Sequence, residues 1–177
     1  GEYSFASPAQ LPIPSSDAQI SVAYKHMKED PVEGAVLDIP LSLPNLERAI
    51  YVWNQSEHQR PVPWGLNDPM PMSLLNNFLT KTLIEIEGNR ARNLPRILPE
   101  LDLVVASRLL IRQGYRYIVV HKDFYPDYKY EQVEQLLTSL YGVPKIYKKD
   151  NIVVYPLSLD GSEDDHLGCR RHTRSNG

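Results

Sequence analysis

The most strand-like pattern in the chain is residues 115–122, a run dense in β-branched and aromatic side chains. Gly114 precedes this run, where a helix ending at Gln113 would need a left-handed residue. After the run, Asp127 is suited to begin another helix. A helix, a glycine, a buried strand and a second helix in this order are typical of an α/β domain.

Two further segments have the pattern of strands. Residues 35–41 contain Asp38, which would need a polar edge or a partner, and Pro40, which would confine the strand end to an edge. Residues 145–157 predict a hairpin that turns at residues 149–151. We therefore predict an α/β fold, a three-layer domain with a small mixed sheet covered by helices and a C-terminal β-hairpin.

Five segments place apolar residues at helical spacing. The expected starts are Ser16 (with Gln19 completing a capping box), Asn45, Ser73, Pro99 and Asp127, and the expected ends are Asp30, His58, Gly88, Gln113 and Tyr141. The helix from Asn45 is expected to bury Leu46, Ala49, Ile50 and Trp53. The helix from Pro99 spreads its apolar residues too widely for one narrow stripe, and we expect it to be covered on most sides.

The remaining segments predict the domain organisation. Residues 1–15 are expected to be an extended lead-in, residues 16–158 a single α/β domain and residues 159–177 a disordered, charged tail. Residues 60–71 form a loop with four prolines, and loops of this length are often binding elements. Because the first residue is Gly rather than Met, we expect the chain to be part of a longer protein.

Composition narrows the classes of function. A chain of 177 residues with 42% hydrophobic and 23% charged residues has the make-up of an ordinary globular domain. Its net charge of −3 disfavours a nucleic-acid partner. The single cysteine, Cys169, excludes an internal disulfide, and no apolar run reaches the roughly 20 residues of a membrane span.

The titratable residues match no established catalytic or metal motif. His58 and His121 lack the spacing of zinc ligands, and no glycine-rich loop indicates a nucleotide site, so we expect neither a metal nor a cofactor. His121 lies at the carboxyl end of the central strand, where Asp123 is near enough to orient it as a general base. No nucleophile in a Gly-x-Ser-x-Gly turn accompanies the pair, and a histidine at a strand end is more often a hydrogen-bonded structural residue.

The strongest candidate site lies at the end of the second predicted helix. Gln55, His58 and Arg60 cluster there, just before Trp64, and His121 is expected to reach the same groove from the strand end. An imidazole, a guanidinium and an indole are suited to a sugar or a phosphate. The alternative is that these side chains cap the helix and hold the proline-rich loop in place.

Three segments, taken in order, resemble a known family. They are Gly-Ala-Val-Leu-Asp-Ile-Pro at 34–40, Tyr-x-x-x-Gln-Ser-x-His-x-Arg-Pro at 51–61, and Gly-Tyr-Arg-Tyr-Ile-Val-Val-His-Lys at 114–122. This order resembles the C-terminal soluble domain of bacterial polytopic membrane proteins related to GT-C-type glycosyltransferases, similar to dolichyl-phosphate-mannose protein mannosyltransferases. Ser56 stands where that family more usually has Thr.

The resemblance implies a non-catalytic extracytoplasmic domain at the cell membrane, with the membrane helices of the same parent chain as partners. Such a domain would contact a polyprenyl-phosphate sugar or an acceptor. In that family the catalytic acid lies in a loop between the first transmembrane helices, so no catalytic residue is assigned to this chain. Two alternatives remain: a self-contained soluble transferase or hydrolase that uses His121 and Asp123, and a plain protein-interaction module.

Overall fold

The computed structural model describes residues 20–63, 65, 68–88 and 100–158, except for the side chains of residues 45–47. Within these ranges the chain forms six α-helices and the four strands of one sheet. The helices are α1 (Val22–Glu29), α2 (Asn45–His58), α3 (Met72–Leu75), α4 (Phe78–Glu87), α5 (Glu100–Arg112) and α6 (Asp127–Tyr141). The strands are β1 (Ala35–Ile39), β2 (Tyr115–His121), β3 (Lys145–Tyr147) and β4 (Ile152–Pro156), with 3-10 turns at Lys122–Phe124 and Lys148–Asp150.

The four strands form a mixed sheet in the order β1-β2-β4-β3. β1 runs parallel to β2, whereas β4 is antiparallel to both β2 and β3. Helices α2 to α5 lie in the connection between β1 and β2, because a parallel pair needs a long crossover. The predicted α/β class, the small mixed sheet and the C-terminal hairpin are confirmed.

Alternate side chains of the strands enter two separate hydrophobic clusters. The larger cluster includes Leu37 and Ile118 and packs under α4, α5 and α6. The smaller cluster includes Val36 and Val119 and packs under α1. Ile118 and Val119 are both fully buried, one on each face of the sheet, so the predicted central position of this strand is confirmed.

Strands β1 and β2 begin at two glycines that approach closely. Gly114 has a φ of 96°, the left-handed conformation predicted for the residue that follows the helix. The Ala35 amide donates a hydrogen bond to the Gly114 carbonyl oxygen at 2.8 Å. A Cβ atom at Gly34 would lie 2.7 Å from that same oxygen, so a side chain does not fit there.

Helix α1 starts later than the sequence predicts. Ile20 precedes the helix, and the N-cap is Ser21, whose Oγ accepts a hydrogen bond from the Ala23 amide at 3.1 Å. The Ser21 hydroxyl also donates to Asp150 at 2.7 Å. The helix start is therefore fixed by a contact with the β3–β4 connection, which local periodicity does not reveal. The predicted capping box lies outside the described residues.

The predicted inner face of α2 is wrong. Ile50 and Trp53 are 40% and 54% exposed, and the helix begins at Asn45 with Pro44, not Asn45, at the N-cap. The buried face consists instead of Tyr51, Asn54 and His58. The Tyr51 hydroxyl donates to the Pro40 carbonyl at 3.1 Å, which helps to fix this rotation of the helix.

The helix predicted from Ser73 to Gly88 is in fact two helices, α3 and α4. Asn77 caps α4, because its Oδ1 accepts a hydrogen bond from the Thr80 amide at 3.2 Å. Its Nδ2 donates to the Ala106 carbonyl at 2.8 Å. The break is thus stabilised by α5, a distant segment of the chain.

The prediction that α5 is covered on most sides is also wrong. One face carries the buried residues Leu103, Ala106, Ser107, Leu110 and Ile111. Leu101, Val104, Val105 and Leu109 are exposed to solvent. The wide spread of apolar residues therefore reflects a covered face and a second, uncovered one.

Other predicted features cannot be placed in the fold. The lead-in at 1–15, the tail at 159–177 and Trp64 lie outside the described residues.

The turn of the C-terminal hairpin has four residues, one more than predicted, since β3 ends at Tyr147 and β4 begins at Ile152.

Candidate functional site

A buried polar cluster lies at the carboxyl ends of β1 and β2, and we call it the His121 cluster: Tyr24, Asp38 and His121. The Nε2 of His121 lies 2.9 Å from Asp38 Oδ1 and 3.0 Å from the Tyr24 hydroxyl. The Tyr24 hydroxyl donates to the same Asp38 oxygen at 2.6 Å. All three side chains are more than nine-tenths buried.

The sheet brings Asp38 and His121 together. Asp38 is paired with Val119, and His121 lies two residues beyond Val119, so both side chains point to the face that α1 covers. Tyr24 enters from α1 on that face. The His121 ring lies close to two further aromatic rings, with centroids 4.9 Å from Tyr51 and 5.6 Å from Phe124.

His58 extends the cluster on the other side of Tyr24. Its ring stacks on that of Tyr24 with centroids 5.3 Å apart. Burial lowers the pKa of His58, which favours the neutral imidazole. Its Nδ1 accepts a hydrogen bond from the Arg60 amide at 3.1 Å, which leaves the ring proton on Nε2.

Two buried polar atoms at this cluster have no hydrogen-bond partner within the part of the chain that the structure describes. They are the Nε2 of His58, a donor in the tautomer just assigned, and the Oδ2 of Asp38, an acceptor. Most buried polar groups in folded proteins are hydrogen-bonded. The Nε2 of His58 and the Oδ2 of Asp38 are therefore two unsatisfied polar atoms of the interior near Tyr24.

The protonation of Tyr24 is set by its surroundings. Burial, followed by the charge of Asp38, raises the pKa of the Tyr24 hydroxyl well above its ordinary value. The hydroxyl therefore stays protonated and donates to Asp38. The carboxylate of Asp38 thus accepts two hydrogen bonds through one oxygen.

A cavity of about 360 Å³, the His121 cavity, borders the cluster. It lies at the carboxyl ends of two parallel strands, where ligands commonly bind in open α/β sheets. The side chains that matter for its chemistry are Tyr24, Asn54, His121, Asp123, Phe124 and Asp150. The cavity therefore combines hydroxyl, amide, imidazole and carboxylate groups with an aromatic ring.

Arg60 holds the segment that follows α1. Its guanidinium donates to the carbonyl oxygens of Met27, Asp30 and Val32. The side chain is buried, and its carbon Cζ lies 5.1 Å from the centroid of the Tyr117 ring. Most of its hydrogen-bond donors are therefore already engaged by neutral oxygens of the chain itself.

Gln55 contributes to the same local structure. Its Nε2 donates to the Arg60 carbonyl at 3.2 Å, and Gln59, which ends α2, adopts a left-handed conformation with a φ of 56°. The Pro61 carbonyl then accepts a hydrogen bond from the Val36 amide at 2.9 Å. Gln55, His58 and Arg60 thus fasten the start of the proline-rich loop to the edge of β1, which is the arrangement that the alternative interpretation expects.

A second cavity, of about 650 Å³, lies beside Arg60. Lys28, Arg116, Asp30 and Glu33 border it together with His58 and Arg60. The charges in its wall are mixed, and Arg116 itself donates to the carbonyl oxygens of Ile111 and Tyr115. We find no strong preference for an anion in this wall.

Four of the five predicted site residues lie in the described part of the chain, and the structure connects them. Gln55 and Arg60 are joined by a hydrogen bond, and His58 connects them to His121 through the ring of Tyr24. Trp64 lies outside the described residues. Asp123, which we expected to orient His121, is exposed and accepts a hydrogen bond from Asn151 at 2.8 Å. The carboxylate bonded to His121 is that of Asp38.

Sequence reasoning missed Tyr24, Asp38 and Asn54 as members of the site. Of the three, only Asp38 can be recognised from the sequence, because an acidic residue inside an apolar strand needs a polar partner. Tyr24 has the spacing of an ordinary core residue, and Asn54 is not among the residues that the apolar pattern of its helix marks as buried. Their roles depend on how α1 and α2 pack on the sheet.

The described part of the chain shows neither a group of metal-ligating side chains nor a membrane-spanning helix. Its histidine, cysteine and acidic side chains form no group of three that is arranged to hold a metal ion. None of its helices has both the length and the apolar character needed to cross a membrane.

Comparison of the chain with protein-family models, with curated proteins and with solved structures gives no match. The resemblance to membrane glycosyltransferases therefore stays a prediction from the sequence motifs.

Proposed function

We propose that this chain is the non-catalytic extracytoplasmic domain of a membrane glycosyltransferase-like protein, and that it contacts a sugar group in the His121 cavity. The observation that carries the binding part is that one cavity is lined by hydroxyl, amide, imidazole and carboxylate groups together with an aromatic ring. The motifs at 34–40, 51–61 and 114–122 support the assignment to the membrane protein.

The charges of the cavity favour the sugar over its phosphate. Asp123 and Asp150 border the cavity, and Asp38 lies behind it, so an anion would be repelled. Sugar hydroxyls can donate to the carboxylates of Asp123 and Asp150 and to the amide oxygen of Asn54. The ring of Phe124 offers an apolar surface for the C–H face of a sugar. A polyprenyl-phosphate sugar would therefore place its sugar, rather than its phosphate, in this cavity.

The binding part is tested by titrating the ¹⁵N-labelled chain with mannose, glucose and galactose, and separately with inorganic phosphate. We expect one of the hexoses to shift the amide signals around residues 24, 54 and 121, and phosphate to leave them unchanged. Asn54→Leu keeps the branched shape of the side chain but removes the amide, so it should abolish the shifts while the rest of the spectrum remains that of the folded protein. Ser56→Ala, an exposed position on the same helix, is the matched control.

If none of the hexoses shifts these signals, sugar binding at the His121 cavity is wrong. The assignment to a membrane protein has a separate test in the coding sequence upstream of Gly1. Several hydrophobic spans there would support the assignment, and a start codon directly before Gly1 would overturn it.

One observation favours a second candidate, a soluble hydrolase or transferase. The hydrogen bonds of His121 to described residues all use Nε2, with Asp38 as the orienting carboxylate. Such a pair can act as a general base through the other ring nitrogen. Slow turnover of p-nitrophenyl esters or glycosides that is lost in both His121→Asn and Asp38→Asn, in folded variants, would favour this candidate. Turnover that is unchanged in the two variants would exclude it.

A further inference from the structure

The outer face of α5 is the most apolar exposed helix surface in the described part of the chain. Leu101 is 75% exposed and Val105 is 48% exposed. Val104 and Leu109 are exposed as well. Large apolar side chains that lie together on a surface commonly mark a contact with another molecule.

The helical period places two arginines on this same face. An α-helix turns by about 100° per residue. One sector of roughly 140° around α5 therefore contains six residues: Leu101, Val104, Val105, Arg108, Leu109 and Arg112. We call these six residues the α5 patch. Both arginines are exposed, and neither forms an ion pair with a described residue. No carboxylate lies in this sector, because Glu100 and Asp102 lie to either side of it.

The sequence segment that contains α5 carries a net positive charge. Between residues 89 and 113 the chain has five arginines, no lysine and two acidic residues, although its net charge as a whole is −3. The net positive charge of this stretch therefore contrasts with the acidic remainder of the chain. On this face of α5 the apolar side chains lie mainly toward the start of the helix and the two arginines toward its end, a combination that suits an apolar contact beside anionic headgroups.

We propose that the α5 patch binds the surface of a bilayer that contains anionic lipids. Leu101, Val104, Val105 and Leu109 enter the boundary between headgroups and acyl chains. Arg108 and Arg112 bury their methylene groups and direct their guanidinium groups to the lipid phosphates. This inference does not rest on the proposed sugar site, since α5 packs on the face of the sheet opposite to the His121 cluster.

The charge distribution argues against a second copy of the chain as the occupant. A twofold pairing of two α5 patches would bring four arginines into one interface, with carboxylates only at its margin, from Glu100 and Asp102. Burying unpaired charges in this way is strongly unfavourable. A lipid surface instead supplies the phosphate groups that these arginines need.

The test is co-sedimentation of the chain, residues 1–177, with vesicles of phosphatidylcholine, with or without phosphatidylglycerol. We expect binding to the anionic vesicles that decreases with added salt, and little binding to phosphatidylcholine alone. Arg108→Gln and Arg112→Gln should each weaken partitioning roughly fivefold. Leu101→Asp with Val105→Asp should weaken it roughly tenfold or more. Circular dichroism verifies that these exposed substitutions leave the fold intact.

Val32→Asp is the matched control, because Val32 is an exposed apolar residue that follows α1 on the other side of the sheet. It should leave vesicle binding unchanged. Absence of binding to anionic vesicles, or equal loss of binding in Val32→Asp, would overturn the proposal. Analytical ultracentrifugation provides a further check: a dimer that dissociates in Leu101→Asp would show that a second copy covers the patch, and would also overturn it.

Discussion

The Nε2 of His121 lies 2.9 Å from Oδ1 of Asp38, and the two residues come from neighbouring parallel strands. This contact joins a carboxylate and an imidazole that are 83 residues apart in the sequence. It gives the buried acidic residue of β1 the partner that its burial requires, and it fixes the orientation of the His121 ring.

We expect Asp38→Ala to destabilise the protein by roughly 3–5 kcal/mol, because it leaves the buried Tyr24 hydroxyl and His121 imidazole without their acceptor. Asp123→Ala removes an exposed carboxylate from the same region and should cost less than about 1 kcal/mol. Urea unfolding of the two variants measures both values. Equal losses would contradict the assignment of Asp38 as the partner of His121.

Arg60→Lys is expected to lower the free energy of unfolding by about 1–3 kcal/mol. A lysine ammonium cannot reproduce the planar set of donors that reaches Met27, Asp30 and Val32. Arg108→Lys, at an exposed position, is the control and should be neutral within about 0.5 kcal/mol. If Arg60→Lys were equally neutral, Arg60 would not hold the loop, and a role in ligand binding would gain support.

His58 predicts a pH dependence of stability. Burial lowers its pKa in the folded state, whereas the unfolded chain should titrate near the usual value of about 6.5. Below that pH the unfolded state binds more protons, so the stability contributed by His58 falls as the pH decreases through about 6.5 toward the lower folded pKa.

The variant His58→Asn keeps an acceptor for the Arg60 amide but does not titrate. Its stability, measured by urea unfolding at several pH values between about 5 and 8, should therefore depend less on pH than that of the unaltered protein. Parallel pH profiles of the two proteins would show that His58 is not held neutral by the fold.

Gly34→Ala should destabilise the protein by on the order of 2 kcal/mol or more, because its Cβ would meet the Gly114 carbonyl oxygen at a left-handed backbone position. Gly142→Ala has a positive φ but nothing within 4 Å of the added atom. It should therefore cost only the conformational strain, on the order of 1–3 kcal/mol, and less than Gly34→Ala, which adds the clash. Thermal unfolding that ranks the two variants in the opposite order would show that the start of β1 can shift.

The sheet could be predicted because local signals agree with the tertiary structure. The β-branched run before His121, Gly114 after α5 and the hairpin near the end of the described chain all follow from neighbouring residues. The helix faces were harder to predict, since burial depends on distant partners. The break at Asn77 needs the Ala106 carbonyl, and the inward turn of Asn54 and His58 needs Tyr24 from α1.

The candidate site could be predicted only in part, because local sequence reveals some of its residues and not their distant partners. His58 and His121 stand out in the sequence as histidines at the ends of elements, and the structure connects them through Tyr24. Proximity in the sequence suggests Asp123 as the partner of His121. Asp38 is the partner in the structure because parallel strands place residues of distant segments side by side.

The way the sheet ends at its two outer strands has a consequence for the protein in concentrated solution. At the β1 edge, the Pro61 carbonyl already accepts a hydrogen bond from the Val36 amide. At the opposite edge, β3 is only three residues long and begins with Lys145. Open strand edges recruit further strands from other molecules, and short, charged or covered edges resist this. The proline-rich loop and the brief last hairpin therefore act as a safeguard against fibrous aggregation.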